Sequence, residues 1–521
     1  MANALPSQIF EQFKGIREFN GVNYGGQISA ISCKNVELFK TEVGNTTGIR
    51  TVQGDKVYIN LPEGYKAIKD FVHTQGAINY LIVYGETETK GTLFYVDFSN
   101  NLNVIKDDLV VTNNANGLSM AYGENDLFIF TNGKEAYSVK IIDTIETKAE
   151  VRKIEAVDNK GRDIKWLSMD EWNGFLVVVS DYGVHSSAKN DIYTWADTVT
   201  DENKLTASWY IDFGKKVTAV KAFSTGLFMF TKTDCSYINT TPNDFENAVF
   251  QNVAMNGCFS YESIVAHDTY LFFYDDNQKG VFYIQMTDTG QTRPVGSVTK
   301  EIQSFFTGTI NRLKMYSCIY DTYNEIWIAI NDKVIIYDYT NQEFIQRDML
   351  PINGLCMYEN NVYVCNDLGE IRIEKMSEDF AGEYYPAEYK TTFINMGSNS
   401  NMKKQKTPIL LVLNANHINN FFVEITANYK TKNPKHIKLK IGGEGEWAPE
   451  DEKAEITDKN LWDVAYWCDE SGYKKQVVEI STPQTWYTLG VRFYTEEKGQ
   501  GFSIVSMEMK RLKEKTKTKG R

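Results

Sequence analysis

A burst of apolar residues recurs seven times along this chain, and no other feature limits the possible folds as strongly. The first burst is Tyr80-Leu-Ile-Val-Tyr and the last is Asn361-Val-Tyr-Val-Cys. The separations between successive bursts are 46, 49, 51, 44, 55 and 36 residues, counted between their second residues Leu81, Leu127, Leu176, Leu227, Leu271, Ile326 and Val362. A repeat of about 40 to 50 residues is typical of four-stranded propeller blades.

A turn and a second strand follow each burst, so every repeat contains a hairpin. Examples of the second strand are Thr92-Leu-Phe-Tyr-Val and Gly280-Val-Phe-Tyr-Ile, and a further strand precedes several bursts, as at Ala67-Ile-Lys-Asp-Phe. The continuously apolar burst favours an inner strand packed on both faces. Helical periodicity is almost absent. The sequence therefore predicts an all-β chain with a β-propeller of six to eight blades, seven being favoured.

The ring of blades needs a closing strand, since radial repetition otherwise leaves an open sheet edge. The segment Asp55-Lys-Val-Tyr-Ile-Asn is placed for this role. The repeat stops after Glu374, and later strands such as Ile409-Leu-Leu-Val-Leu predict a separate β-sandwich. We therefore predict an N-terminal arm (1–50), a β-propeller (51–376), a hinge (377–385), a C-terminal β-sandwich (386–510) and a basic tail (511–521).

Composition narrows the functional classes. The chain has 521 residues, a formal net charge of −13, 42% hydrophobic and 24% charged residues, which indicates a globular protein with at least two units. No apolar stretch reaches the 18 or so residues of a membrane span, and the start lacks the features of a secretory signal. We expect synthesis in a cytosol. The acidic balance argues against wrapping nucleic acid over a broad surface.

Motifs for metals and nucleotides are missing from the sequence. The seven cysteines are scattered singly, and no two of the five histidines lie within ten residues of each other, so neither a disulfide framework nor a zinc site is predicted. Neither glycine-rich nucleotide signature is present. Asp275-Asp276-Asn277 carries calcium-like oxygens, but its place between two strands favours a hairpin turn. We expect no metal and no cofactor.

Two segments were weighed as catalytic sites. Gly117-Leu-Ser-Met-Ala imitates a nucleophile elbow, but a strand leading into a β-hairpin favours plain blade structure over the strained turn that the motif needs. Asp170 and Glu171 could suggest a glycosidase, yet neighbouring residues of a strand point to opposite faces. A sialidase would also need grouped arginines, and the 11 arginines are dispersed before the tail. We therefore expect a protein that is not an enzyme.

Short segments carry a resemblance to a known family. The chain contains Phe13-Lys-Gly-Ile-Arg, Asn35-Val-Glu-Leu and Gly48-Ile-Arg, with Trp209-Tyr-Ile-Asp-Phe-Gly and Tyr389-Lys-Thr-Thr-Phe further on. In these segments it resembles the nozzle and packaged-DNA stabilisation proteins of tailed phages, whose arms typically read Asn-Val-x-x before a Gly-Arg turn. The resemblance spans residues 13 to about 510. Thr51-Val-Gln-Gly stands where a basic-Pro-Gly turn is usual, which leaves the subfamily open.

The resemblance implies a structural virion protein of a phage tail, assembled in the host cytoplasm, without cofactor, catalytic role or membrane span. It implies a homo-oligomeric ring, commonly a hexamer, beneath the portal and adaptor, which closes or extends the DNA channel and docks tail fibres. Double-stranded DNA would pass without specific binding, since an acidic lumen repels phosphate. The assembly residues implied in the arm are Phe13, Arg17, Asn35, Val36, Leu38 and Arg50.

Other readings stay open. A propeller that binds a host glycan or protein, such as a receptor-binding tail tip, is the main alternative, and exposed Trp and Tyr on one rim would favour it. A glycosidase-like propeller enzyme is a weaker one. The end of the chain, 510–521, holds seven basic residues in twelve. It is either a solvated end or a tether to nucleic acid or to an acidic neighbouring subunit.

The arm raises a question of its own. Residues 1–50 are rich in Gly and Asn, and only 28–30 and 36–39 look capable of forming strands, so the arm cannot build a core alone. It must pack against another surface. We expect 55–60 to close the propeller and 13–40 to reach a neighbouring subunit by strand addition.

Overall fold

The computed structural model describes the chain apart from residues 1, 5–7, 18–26, 41–45, 124, 143, 145–147, 159, 182, 197–199, 201, 204, 239–250, 288–291, 293–294, 309, 311–312, 321–322, 332, 349–351, 378–385, 397–400, 406, 415–420, 429–433, 440–465, 469–473, 498–499, 511 and 516–521. The chain divides into two compact units. Met1–Gly54, Ile335–Asp348 and Lys375–Arg521 form what we call the terminal unit. Asp55–Val334 and Met349–Glu374 form the propeller unit.

The first 54 residues contain more strands than the sequence pattern indicates. The strands are β1 (Ala2–Ala4), β2 (Gln8–Phe10), β3 (Gln12–Ile16), β4 (Gln27–Lys34), β5 (Val36–Lys40) and β6 (Thr47–Thr51). Strands β3 and β4 run parallel, and β5 and β6 form an antiparallel pair. Only parts of β4 and β5 were predicted as strands. The others contain Gly and polar residues, and they are strands because partners elsewhere in the chain satisfy their backbone groups.

Five antiparallel sheets of four strands follow one another in the propeller unit, after β7 (Gly54–Asn60). In chain order the first three contain β8 (Lys66–Gln75), β9 (Ile78–Glu86), β10 (Gly91–Val96), β11 (Leu102–Leu109), β12 (Asn116–Tyr122), β13 (Asn125–Thr131), β14 (Ala136–Ile141), β15 (Ala149–Lys153), β16 (Ser168–Trp172), β17 (Phe175–Val179), β18 (Gly183–Ser186) and β19 (Tyr210–Asp212). The next two contain β20 (Val217–Phe223), β21 (Gly226–Thr231), β22 (Cys235–Ile238), β23 (Gln251–Ala254), β24 (Ile264–His267), β25 (Tyr270–Asp275), β26 (Gly280–Gln285) and β27 (Gly296–Ser297). Two 3₁₀ helices, Tyr261–Ser263 and Thr299–Phe306, flank the fifth sheet.

The last repeats complete the ring. The strands are β28 (Leu313–Tyr320), β29 (Tyr323–Ile330), β30 (Lys333–Asp338), β31 (Glu343–Arg347), β32 (Ile352–Tyr358), β33 (Asn361–Asn366) and β34 (Glu370–Ser377). Strands β32, β33, β34 and β7 form a sixth four-stranded sheet, which confirms that 55–60 supplies the closing strand. The buried Arg372 guanidinium lies 3.1 Å from the Asp55 carboxylate and holds this closure.

The innermost strands lie side by side around a ring. Strand β8 contacts β12, β12 contacts β16, and β16 contacts β20; beyond β24, the contacts run from β24 to β28, from β28 to β32, and from β32 back to β8. This is a β-propeller, as predicted. The described residues form six separate four-stranded blades, which is within the predicted range of six to eight but one fewer than the favoured seven. The sixth repeat, which contains the burst around Ile326, forms the antiparallel hairpin β28–β29, located between the fifth and sixth blades. It is not one of the separate four-stranded sheets, and residues 335–348, which follow it, fall in the terminal unit.

The core of the propeller unit lies between neighbouring blades. One apolar cluster joins the first and second blades through residues such as Tyr84 and Phe130, and another joins the third and fourth through Val177 and Leu227. A further cluster closes the ring between the first and last blades. The bursts occupy the second strand of each repeat and are buried on both faces, as their composition predicts.

The C-terminal strands pair with one another and with the arm. They are β35 (Glu388–Thr391), β36 (Met402–Gln405), β37 (Ile409–Asn414), β38 (Phe421–Ala427), β39 (Lys435–Leu439), β40 (Tyr466–Cys468), β41 (Lys474–Ile480), β42 (Thr485–Trp486), β43 (Leu489–Tyr494), β44 (Ser503–Met509) and β45 (Leu512–Lys515). Strand β37 pairs with β41 and β44, and β43 pairs with β35 and β38. Strand β35 also pairs with β4, and β44 with β2 and β6.

The predicted β-sandwich stays a prediction, since these sheets include arm strands as well as C-terminal ones. Of the hinge, 378–385 lie outside the described residues, and so do 516–521 of the basic tail. Residues 512–515 of that tail form β45, which pairs with β1 and β36. Within the described part of the chain, no helix has the length and apolar character needed to span a membrane.

Candidate functional site

The residues implied for assembly lie in the terminal unit, and Phe13 connects the arm to the C-terminal strands. Its side chain is fully buried, and its ring meets the ring of Tyr389 edge to face at 5.6 Å. The Tyr389 hydroxyl lies 2.8 Å from the carbonyl oxygen of Lys14 and 2.9 Å from that of Ile28. Because Tyr389 is on β35, this one side chain ties both parallel strands of the arm to the C-terminal strands.

Arg17 belongs to a cluster around the buried carboxylate of Glu343 on β31. The Arg17 Nη2 and Lys14 Nζ atoms lie 3.3 Å and 3.2 Å from Glu343 Oε1, and the Gly15 N–H donates to Oε2 at 2.8 Å. Burial raises the pKa of Glu343, and the two cations and the N–H oppose that rise. A Cβ at Gly15 would lie 2.3 Å from the Phe344 carbonyl oxygen, so only glycine allows this close approach.

Asn35 and Val36 form the bend between β4 and β5. Asn35 has a positive φ of 53°, a conformation that asparagine tolerates better than most residues. Its side-chain amide donates to the Pro386 carbonyl at 3.0 Å, and its side-chain oxygen accepts from the backbone N–H of Asp348 at 2.8 Å. Val36 is fully buried. The Asn-Val pair thus fixes the bend against two distant segments of the same unit.

Leu38 and Arg50 lie on the two strands of the hairpin β5–β6. Leu38 is half-buried opposite Ile49. Arg50 forms an ion pair with Glu37, and Lys375 Nζ lies 3.5 Å from the other carboxylate oxygen of Glu37. Burial acts to raise the pKa of Glu37, but Lys375, Arg50 and Arg347 together hold it below its ordinary value. The hairpin is therefore anchored by a buried carboxylate that stays charged.

These contacts bear on the expectation that residues 13–40 reach a neighbouring subunit, which stays a prediction. Within the single chain, β3 and β4 pair with each other, and β4 also pairs with β35. Strand β4 pairs with β3 over 27–30 and with β35 over 30–34, so much of its backbone is already hydrogen-bonded within its own chain. The six implied residues are thus brought together inside one folded unit, where they hold the arm in place.

A second polar cluster lies in the propeller unit, and sequence analysis missed it. Glu262, in the 3₁₀ helix before β24, places Oε1 3.4 Å from Lys69 Nζ on β8 and 3.0 Å from Lys314 Nζ on β28. The Tyr261 hydroxyl donates to Asn114 Oδ1 or to the Ala115 carbonyl, at 2.7 and 2.8 Å. Glu262 and Lys69 are 193 residues apart in sequence, so no local motif predicts their contact.

The segments weighed for catalysis take up structural roles. Ser119 lies within β12, which pairs with β13 as a hairpin, and this confirms the blade interpretation. Its hydroxyl lies 2.9 Å from His73 Nδ1. Burial lowers the pKa of His73, and among the described residues no carboxylate is hydrogen-bonded to it. An imidazolium would therefore be poorly stabilised, which makes this pair a weak nucleophile and base.

The acidic pairs are separated in space, as expected. The Asp170 carboxylate accepts from the Ala222 N–H at 2.8 Å and pairs with Lys221 at 2.9 Å. Glu171 instead accepts from the Gly174 N–H in its own hairpin, so the two carboxylates do not share a site. Asp275 caps the β25–β26 turn by accepting from the Asn277 N–H, as predicted for a hairpin. Within the described residues, no three His, Cys, Asp or Glu side chains are grouped to hold a metal ion.

Comparison with known proteins gives likenesses among solved structures only. One is BBS1N in complex with ARL6DN, at 12% identity and a TM-score of 0.39, covering 62% of this chain and 96% of that one. Another is BamB from Moraxella catarrhalis, at 10% identity and a TM-score of 0.35, covering 74% and 99%. No family model and no curated protein matches this chain. Its propeller fold follows from its own sheet order.

Proposed function

We propose that this protein is a structural component of a phage tail. Copies of it form a ring below the portal and adaptor, which closes or extends the DNA exit channel and docks other tail parts. The observation that carries the proposal is the division of charge between the two units. The propeller unit has 41 acidic and 26 basic residues, a net charge of −15, whereas the terminal unit has 27 and 29, a net charge of +2.

This division suits a wall along which DNA moves without sticking. A surface of strongly negative potential repels phosphate, so DNA can pass close to the propeller unit and form no lasting contact. The propeller units of two copies each carry a net charge of −15, and their mutual repulsion disfavours contacts between them. We therefore assign the contacts between copies to the terminal unit, whose charges nearly balance. The expected number of copies is six, by analogy with the resembled family.

The arm adds a second line of support. The residues that carry the resemblance to nozzle and DNA-stabilisation proteins are those that fix the arm in the terminal unit, namely Phe13, Arg17, Asn35, Val36, Leu38 and Arg50. We infer that their side chains make contacts within the chain, and that these contacts fix the shape of the surface that other copies or tail proteins bind.

The alternative of a receptor-binding module has less support. It calls for exposed Trp and Tyr on one rim, but the six Trp residues whose side chains the structure describes are buried or half-buried. Tyr210 is the one Tyr that stands out as exposed among the described side chains. We therefore favour the ring.

The test is imaging of the purified full-length protein by negative-stain microscopy, with mass photometry at low and at high salt. The proposal expects rings of several copies with an open lumen, and no stable complex with a short DNA duplex at either salt concentration. A monomer at all micromolar concentrations would contradict the ring. Tight DNA binding that weakens steeply with salt would contradict the repelling wall, because that dependence reports phosphate contacts.

A further inference from the structure

The 3₁₀ helix Tyr261–Ser263 reaches blades that are not its neighbours. It directly precedes β24. Around the ring, β24 is separated from β8 by β28 and β32 on one side and by β20, β16 and β12 on the other. A side chain on this helix can touch β8 or the start of β12 only by extending over the axis of the ring.

Both Tyr261 and Glu262 make such contacts. Glu262 Oε1 lies between Lys69 Nζ on β8 and Lys314 Nζ on β28. The Tyr261 hydroxyl reaches Asn114 and Ala115, directly before β12, and Lys69 Nζ lies 5.1 Å from the centre of the Tyr261 ring. Lys314 also donates to the Asn353 carbonyl on β32 at 2.7 Å. The contacts therefore join β8, the segment directly before β12, β28 and β32.

The cluster is withdrawn from solvent. The side chains of Lys69, Lys314 and Glu262 are 12%, 8% and 19% exposed. Burial acts to raise the pKa of Glu262, but the two lysines hold it below its ordinary value, so the carboxylate is charged. In a buried setting, removal of one charge of such a group leaves the others uncompensated.

We propose that Tyr261 and Glu262 form a clamp across the axis, which ties non-neighbouring blades together. Blades of a propeller otherwise support one another only around the ring, through adjacent faces and the closing strand. The clamp adds links along the diameter, so that the outward movement of one blade has to break contacts with several others. This inference does not depend on the proposed function.

Hydrogen exchange measured by mass spectrometry on the full-length protein tests the clamp. The variant Glu262→Gln keeps the shape of the side chain and removes its charge. A matched control is Asp181→Asn, because Asp181 also lies between two lysines, Lys165 and Lys216, but at an exposed site. We expect amide exchange in β8, β12 and β28 to become at least tenfold faster in Glu262→Gln, and to change less than twofold in Asp181→Asn.

A second variant keeps the test decisive if Glu262→Gln does not fold. Tyr261→Phe removes only the hydroxyl that reaches Asn114 and Ala115, and it should speed exchange at the start of β12 about threefold or more. Faster exchange restricted to β24 and its own blade would overturn the clamp, since it would show a local effect alone. Unchanged exchange in β8 and β12 in the variants that fold would overturn it as well.

Discussion

The Sγ atom of Cys356, on the innermost strand of the last blade, lies 3.5 Å from the carboxylate oxygen Oδ2 of Asp70, on the innermost strand of the first blade. The contact crosses the seam where the ring of blades closes. A weak thiol donor is the partner here, in place of the cation that usually accompanies a buried carboxylate. The seam therefore holds an acid in an unfavourable environment.

Asp70→Asn should stabilise the propeller at neutral pH. Burial raises the pKa of Asp70 from 3.8 to about 7, against the opposing effects of Cys356, Cys365 and Lys69. Because the pKa of this carboxyl is higher in the folded than in the unfolded protein, its contribution to stability is fully present below about pH 4 and is lost as the pH rises to about 7. The loss is on the order of 4 kcal/mol. Melting temperatures from pH 4 to pH 8 should therefore differ between the two proteins mainly at the upper end.

The control for this measurement is Asp97→Asn. Asp97 is half-buried in a surface turn, where backbone and side-chain N–H groups hold its pKa below the ordinary value. Its replacement should therefore leave unchanged the loss of stability that Asp70 causes as the pH rises. Equal pH profiles for wild type and Asp70→Asn would show that the seam accommodates the charged carboxylate.

Leu227→Asp should unfold the propeller unit. Leu227 is 0% exposed and lies between the third and fourth blades, and an unpaired carboxylate buried there costs several kcal/mol. Leu205→Asp is the matched control, since Leu205 is 46% exposed. Circular dichroism melts should show a large loss for the first variant and little change for the second. A similar melting temperature for both would mean that the burst is not core.

Phe13→Ala should destabilise the terminal unit without any partner present. The substitution empties a fully buried site against Tyr389, and loss of such a ring costs about 3 to 5 kcal/mol. Phe98→Ala, at a position that is 64% exposed, should have a small effect. The measurement is denaturant unfolding of the protein at a concentration where it is monomeric. An unchanged midpoint for Phe13→Ala would favour a role of the arm in assembly alone.

Removal of residues 1–40 should expose the terminal unit to protease while the propeller unit stays resistant. The deletion takes away the partners of β35 and β44, which leaves sheet edges and apolar faces uncovered. Limited proteolysis followed by mass spectrometry should give early cuts within 386–510, while peptides from 55–334 and 349–374 persist. Full resistance of 386–510 in the truncated protein would show that those strands are stable without the arm.

The propeller could be predicted from sequence because its information is local and repeated. Each burst, such as the one at Leu227, is buried on both faces and is therefore continuously apolar. The spacing of the bursts is typical of the length of one propeller blade. The short strand at Asp55 was recognisable from its place before the first repeat. The favoured count of seven blades was wrong, because the repeat around Ile326 does not form a separate four-stranded sheet, and its sequence pattern does not differ from that of the other repeats.

The arm and the clamp could not be predicted, because their partners are distant. Strand β3 contains Gly15 and Lys14 and has a weak intrinsic tendency to form a strand. It is stabilised by contacts with Tyr389 and Glu343, which are distant in sequence. Likewise Glu262 is an ordinary surface residue by its sequence context, and only the closed ring brings Lys69 and Lys314 to it. Contacts of this kind form only in the folded topology, and their partners cannot be identified from local sequence patterns.

The pairing of the arm with the C-terminal strands has a consequence for how the chain is made. Ile28 and its partner Tyr389 are 361 residues apart. At a translation rate of about 5 to 20 residues per second, the ribosome needs roughly 20 to 70 seconds to travel from one to the other. During this time the arm has been synthesised but lacks β35 and the Tyr389 ring that packs on Phe13. We therefore expect the terminal unit to complete its folding only after the C-terminal strands have left the ribosome, with the nascent arm exposed to premature strand pairing until then.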